Sequence, residues 1–196
     1  MKILKYTGNG FAEIAMQTAD IGAKYGLNTA VGDIDGDNIT EIITAPGPGP
    51  NEPALIKVWK LEGSSLKETA SFTAFDGLYG ANIATGDIDG DGRKEIIIGT
   101  GPDPKNAAVV RVFKADGTLV LELRPYDAKY GYGVFVASAD MDNDGKDEII
   151  TGLGPGPQNS AWVKVFKSDG LEISSFLAYP EGTKYGVRVY SGRPGE

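Results

Sequence analysis

YGANIATGDIDGDGRKEIIIG, residues 79–99, is one of three segments that align without a gap; the others are YGLNTAVGDIDGDNITEIITA at 25–45 and YGVFVASADMDNDGKDEIITG at 132–152. Their first acidic residues, Asp33, Asp87 and Asp140, lie 54 and 53 positions apart. Self-similarity at a fixed period of this size marks a repeat architecture. A fourth start, YGVRVYSG from Tyr185, falls another 53 residues on, and is followed only by RPGE.

Outward from these segments the rest of the unit repeats too. Each acidic stretch leads through a Gly/Pro loop to a strand-like run, ALIKVWKLEG from Ala54, AVVRVFKADG from Ala108 and AWVKVFKSDG from Ala161. A fourth run closes each unit: KETASFTAFD, LVLELRPYD, LEISSFLAYP. The N-terminal KILKYTGNG and FAEIAMQTAD match the last two runs of a unit. Runs of five to eight residues rich in β-branched and aromatic types, separated by turn chemistry, predict strands, here called A to D. Glycine and proline, 28 and 11 of 196 residues, argue against a helical fold.

The expected fold is all-β, a β-propeller of four-stranded antiparallel blades with calcium-binding A–B hairpin loops. Residues 1–20 supply strands C and D of a partial blade, 25–76, 79–127 and 132–180 are whole repeats, and 185–192 is strand A of another partial blade. That makes fifteen strands. The whole chain is read as a single propeller domain or part of one.

DIDGDNITE, DIDGDGRKE and DMDNDGKDE carry carboxylates at loop positions 1, 3, 5 and 9. Hard oxygen ligands at alternate positions let a chain wrap one cation, and calcium accepts six to eight of them. Position 6 calls for a residue tolerant of positive φ and holds Asn38, Gly92 and Gly145. Position 7, Ile39, Arg93 and Lys146, would donate its backbone carbonyl. An EF-hand would need a Glu at position 12 between helices; that position is Thr44, Ile98 or Thr151 inside β-type runs, so a hairpin closed by Glu41, Glu95 and Glu148 fits instead. The bland alternative is a set of solvated Asp-Gly turns, but no Lys or Arg stands at positions 1 to 6 to relieve the crowded charge. Magnesium suits the loops less, since it keeps waters and strict octahedral geometry.

These residues resemble the FG-GAP or VCBS repeats of integrin-α-like propellers. The resemblance implies calcium, about three ions per chain, on Asp33, Asp35, Asp37 and Glu41, on Asp87, Asp89, Asp91 and Glu95, and on Asp140, Asp142, Asp144 and Glu148. Glu at position 9 and Tyr-Gly in place of Phe-Gly depart from the usual pattern. With twelve of the 27 acidic residues read as ligands, 15 remain against 19 basic ones, and three dications would move the net charge from −8 to −2.

No cysteine and no histidine are present, which removes disulfides, thiolate metal sites and His-dependent triads. The acidic balance argues against phosphate-neutralising nucleic-acid binding, and no apolar run reaches the roughly 20 residues of a membrane span. No signal peptide is visible, and an extracellular or cell-surface setting is expected from the calcium loops. Trp59, Phe113 and Phe166 are read as inter-blade packing, Tyr25, Tyr79, Tyr132 and Tyr185 as repeated packing or hydrogen-bonding groups. The GPGP strings at 47–50 and 154–157 lack the Lys-Ser/Thr of a P-loop.

A ligand is expected on the face opposite the calcium loops, near Lys24, Lys129 and Lys184, or in the central channel. The function expected is a non-catalytic, calcium-stabilised module binding a protein or glycan. A sugar-active lyase or dehydratase using channel residues, and a bare assembly module, stand as alternatives. Three whole units do not close a ring: strand A from Tyr185 could join strands C and D of the N-terminus in a fourth blade lacking strand B, two chains could exchange the partial blades as a homodimer, the favoured expectation, or the chain could be a fragment with open ends.

Overall fold

The computed structural model describes residues 2–16 and 24–192; of the expected first partial blade, 1 and 17–20 lie outside them, as do 21–23 and 193–196. Fourteen strands and no helix are present among the described residues. A hairpin of β1 (Lys2–Tyr6) and β2 (Phe11–Met16) comes first. Three four-stranded antiparallel sheets follow, one per repeat, each wound in chain order. The first holds β3 (Leu27–Gly32), β4 (Glu41–Pro46), β5 (Leu55–Glu62) and β6 (Ser65–Thr73). The second holds β7 (Ala81–Gly86), β8 (Glu95–Thr100), β9 (Val110–Phe113) and β10 (Leu119–Leu123). The third holds β11 (Val134–Ala139), β12 (Glu148–Leu153), β13 (Trp162–Phe166) and β14 (Glu172–Leu177). The described residues form no closed ring.

The second strands explain why the sheets stack. β8 reads EIIIGT and is buried at every residue, because both of its faces meet another sheet. Ile96 and Ile98 join a core shared with Ile43, Ile56 and Val58 of the first sheet, while Ile97 points the other way, into a core with Val134, Ile149 and Phe166 of the third. Period-two alternation thus serves two cores at once. Each fully buried isoleucine contributes about 1.5–3 kcal/mol relative to exposure. Phe113 and Phe166 lie between sheets as expected, and the Phe113 ring stands 4.9 Å from that of Phe72 in the sheet before it. Trp59 is also buried, donating from Nε1 to Thr44 Oγ1 at 2.9 Å.

Adjacent sheets share no strand pairing, so side chains bridge them. Asn28 Nδ2 donates to Ala81 O at 2.7 Å and Asn82 Nδ2 to Val134 O at 2.8 Å. A second device holds the approach to each sheet. The Glu52, Asn106 and Asn159 carbonyls accept from the Gly80, Gly133 and Gly186 amides at 2.8, 3.0 and 2.9 Å. Their side chains turn to the approach to their own sheet, Glu52 accepting from Lys24 N, Asn106 donating to Leu78 O and Asn159 to Gly131 O. Tyr79, Tyr132 and Tyr185 stand at φ of 73°, 68° and 71°, costly for a bulky residue, and the clamp on the following glycine holds that turn. Strands β3, β7 and β11 begin two residues after Tyr25, Tyr79 and Tyr132 rather than at them.

Residues 185–192, read from the sequence as a strand, form none. Even so, the Val187 amide donates to Leu153 O at 3.0 Å, and Val187 and Val189 crowd Gly152 as Val134 and Val136 crowd Gly99. The segment therefore occupies the place of a fourth inner strand without a pairing partner among the described residues.

The face of the third sheet that a further sheet would cover is open. Met141, Phe176 and Tyr179 are 57%, 49% and 56% exposed, whereas their second-repeat counterparts Ile88, Leu123 and Tyr126 are 3%, 8% and 9% exposed.

Close approach also fixes glycines. A Cβ on Gly101 would stand 2.0 Å from Tyr79 O, and the same clash recurs for Gly47 on Tyr25 O and Gly154 on Tyr132 O. Gly101→Ala is expected to cost about 1–3 kcal/mol and lower the melting temperature by several degrees. Gly10→Ala, whose Cβ would meet nothing, should leave the melting curve in place; differential scanning calorimetry reads both.

Candidate metal centre and inner groove

Each A–B loop is the hairpin expected, with strands in place of flanking helices: β3 to β4, β7 to β8, β11 to β12. Position 6 has positive φ in all three copies, 64° at Asn38, 87° at Gly92 and 88° at Gly145. Position 4 does the same at Gly36, Gly90 and Asn143. These turns aim successive loop amides inward.

The position-1 aspartate spends both oxygens on loop amides. Asp33 accepts from Gly36 N at 2.7 Å and Asn38 N at 2.8 Å, Asp87 from Gly90 N and Gly92 N, Asp140 from Asp144 N and Gly145 N. At positions 3 and 5 one oxygen takes an amide two residues on: Asp35 from Asp37 N, Asp37 from Ile39 N, Asp89 from Asp91 N, Asp91 from Arg93 N, Asp142 from Asp144 N, Asp144 from Lys146 N. At position 9 the buried Glu41, Glu95 and Glu148 each clasp the position-2 amide with Oε2, at 3.0, 2.9 and 2.9 Å. The second oxygens of positions 3, 5 and 9 are left for something else.

In this structure a lysine takes most of them, while in the second loop Asp91 Oδ2 accepts from Arg93 Nε at 3.1 Å. Lys60 Nζ lies 2.7 Å from Asp35 Oδ2, bonds Asp37 Oδ2, and stands 3.5 Å from Glu41 Oε1. Lys114 reaches Asp89 at 2.8 Å, Glu95 Oε1 at 3.4 Å and Asp91 at 3.8 Å. Lys167 reaches Asp142 at 2.7 Å and Asp144 at 3.3 Å. Positions 1 to 6 hold no basic residue, but the charge is relieved from the end of the third strand of the same sheet, by Lys60 within β5 and by Lys114 and Lys167 one residue past β9 and β13. The clue in the sequence was one lysine in register, directly after Trp59, Phe113 and Phe166.

Electrostatics follow the contacts. The Lys60 ammonium holds Asp37 below the ordinary carboxylate range, Lys167 does the same for Asp142, and the Arg93 guanidinium brings Asp91 to about 2. All three lysines are raised in turn by their carboxylate partners. Burial pushes Glu95 up.

The residues fit a divalent cation. Asp33, Asp35 and Asp37, then Asp87, Asp89 and Glu95, then Asp140, Asp142 and Glu148 each bring ligand oxygens within 4.8 Å of one another. Glu41 Oε1 is buried with no hydrogen-bond partner, an acceptor aimed at the place a cation would fill. Ile39, Arg93 and Lys146 stand at position 7 with their amides bonded to position 5, and the side chains of Arg93 and Lys146 lie against Gly36 and Gly90 of the preceding loop.

The loops are also joined to each other. Lys94 N donates to Asp33 O at 2.9 Å and Asp147 N to Asp87 O at 2.7 Å, while Asp87 N donates back to Asp147 Oδ2 at 3.1 Å.

A second feature runs along the inner strands. A cavity of about 130 Å³ is lined by Asn28, Asn82, Phe135, Arg188 and Tyr190 among others. The Arg188 guanidinium lies 4.8 Å over the Phe135 ring, and its Nη1 donates to Tyr190 Oη at 3.4 Å. Of the lysines expected to mark a ligand face, Lys129 turns to Asp127 at 3.5 Å and to the Tyr130 ring, Lys24 gives its backbone amide to Glu52, and Lys184 is exposed.

The FG-GAP-like repeat model matches residues 33–98 and 87–151, more than half of the chain, so the protein belongs to the FG-GAP-like repeat family. Compared with curated protein sequences it has no significant match. Among solved structures it is similar to the Bacillus licheniformis rhamnogalacturonan lyase PL11, at 18% identity and a TM-score of 0.57, over 80% of this chain and 35% of that one. The rhamnogalacturonan lyases YesW and YesX, at 16% and 18% identity and TM-scores of 0.57, each match over 91% of this chain, and over 37% and 36% of their own. The chain spans about a third of the length of these lyases. The likeness establishes the fold. It also corrects the expectation that the protein is no enzyme, because the fold it shares is one that these lyases use. Among the described residues no helix is long and apolar enough to cross a membrane.

Asp147→Ala should remove the side-chain acceptor of the Asp87 amide. A lost hydrogen bond of about 1 kcal/mol predicts roughly fivefold faster exchange at that amide, read by hydrogen–deuterium exchange, with the third sheet's own ladder unchanged.

Proposed function

We propose that the chain is the calcium-loop section of a polysaccharide lyase acting on rhamnogalacturonan, with the inner groove as its sugar site. The observation that carries this is a break in the repeat. The fourth residue of each repeat start is Asn28, Asn82, Phe135 and Arg188, and the sixth is Ala30, Ala84, Ala137 and Tyr190. Packing alone asks for the same residue each time, whereas an arginine, a phenol and an aromatic face gathered in one cavity suit an acidic sugar.

A uronate polymer is cleaved by β-elimination. A base takes the proton on the carbon next to the carboxylate, the electron pair forms a carbon–carbon double bond, the glycosidic C–O bond breaks, and the departing oxygen is protonated. Arg188 binds the carboxylate and stabilises the charge that develops there. The Tyr190 hydroxyl, beside that guanidinium, is the proton-transferring group of the groove. The family and the three carboxylate groups support about three calcium ions per chain, held by the residues at positions 1, 3, 5 and 9 with the position-7 carbonyls. Calcium there stabilises the fold by binding only the folded loops. An extracellular setting, where calcium is plentiful, belongs to the same proposal.

The chain incubated with rhamnogalacturonan and calcium is expected to release unsaturated uronate ends, seen as growing ultraviolet absorbance, and Arg188→Ala is expected to abolish this while keeping the melting temperature. Absence of both turnover and retardation in a rhamnogalacturonan affinity gel would end the lyase reading.

The open face of the third sheet is proposed to seat the first sheet of a second copy, since the equivalent faces of the first two sheets are each covered by a sheet of the same repeat. Light scattering is expected to give twice the 20.7 kDa chain mass, and Phe176→Glu the single mass. A single-chain mass for the unaltered protein would sink the idea.

A further inference from the structure

Lys60, Lys114 and Lys167 lie outside the loop motif, yet all three deliver their ammonium to the same point in it. Each follows a buried ring, Trp59, Phe113 or Phe166, so packing fixes the strand end, Lys60 being in β5 and Lys114 and Lys167 directly past β9 and β13, and the next residue is turned toward the loop. In the first loop the ammonium meets the three oxygens that the backbone leaves unused, Asp35 Oδ2, Asp37 Oδ2 and Glu41 Oε1. Glu41 is 1% exposed, and that last oxygen still has no hydrogen-bond partner, so a lysine at 3.5 Å leaves the loop incompletely served. A hard dication seeks those same oxygens. An ammonium and a dication do not share a point a few ångströms wide, because like charges at that distance repel strongly.

We infer that Lys60, Lys114 and Lys167 are the resident cations of the three loops and set their affinity for divalent metal, which enters only by exchange with the ammonium. The inference rests on the calcium reading above. In the exchange the metal enters, the lysine stays protonated and swings to solvent on its flexible stem, and no bond is made or broken within the chain. The carboxylates are neutralised before and after, so the loop keeps its hairpin without metal. The contacts are graded: Lys60 faces three carboxylates, Lys114 faces two closely and shares Asp91 with Arg93, and Lys167 faces two.

Lys60→Met removes the charge and keeps an apolar stem. Calorimetric titration of the chelator-treated chain with calcium chloride is expected to show one class of site tightened about tenfold or more in the variant, with a lower metal-free melting temperature. Equal calcium affinity in both proteins overturns the exchange and leaves the calcium reading standing; no calcium binding in either overturns both. Should the variant fail to fold, the unaltered chain decides. Acetylation mapped by mass spectrometry is expected to rise at Lys60, Lys114 and Lys167 when calcium is added and to stay level at exposed Lys184. Unchanged labelling at the three lysines overturns the inference.

Discussion

Four carboxylates packed into nine residues of a hairpin repel one another unless positive charge reaches them, and much of the architecture is arranged around that requirement. Position 1 spends its oxygens on the loop's own amides and position 9 buries itself to clasp the position-2 amide. The charge left over is met by a lysine at or just past the end of the third strand. The position-8 amide of the next loop then donates to the position-1 carbonyl of the loop before it. Because that carbonyl is placed by the neutralised loop, the geometry of one loop is handed on to the following sheet. The stack of sheets is held by isoleucines, but its edge along the loops is set by electrostatics.

Chemistry repeated in register was legible in the sequence. The three sheets, the hairpin character of the acidic loops and positive φ at Asn38, Gly92 and Gly145 all follow from which residue types recur at which spacing. The lysines were not, since a lysine in an exposed-looking strand reads as solvated and its target lies 25 residues earlier. The clamp of Glu52, Asn106 and Asn159 hid in a Gly/Pro loop, where two different residue types perform one task through the same backbone carbonyl. Residues 185–192 have the composition of a strand, yet a strand also needs a partner, and none stands beside them among the described residues.

Repetition also explains why catalysis was discounted. The residues that break the pattern are Phe135, Arg188 and Tyr190, two of them in the segment expected as strand A of a partial blade. At the same inner-strand positions Asn28 and Asn82 tie one sheet to the next through their amides. Phe135 and Arg188 give up that bridge and stack on each other instead. A structural hydrogen bond has been exchanged for a charged, aromatic surface, which is the trade expected where a fold carries a ligand site.

That exchange ties the groove to the open face. With no strand beside it, the 185–190 segment is held by the Gly186 amide on Asn159 and the Val187 amide on Leu153, both contacts with the third sheet. Arg188, Val189 and Tyr190 line the inner cavity on one side, and on the other a hollow of about 400 Å³ with Met141, Phe176 and Tyr179. Whatever covers that hollow must press on the same three residues. Burial of the apolar side would fix the backbone that carries Arg188 and Tyr190, and two side chains now held from one sheet would be held from two. In this protein the groove's charged group and the exposed apolar face are structurally coupled, because a single short segment belongs to both.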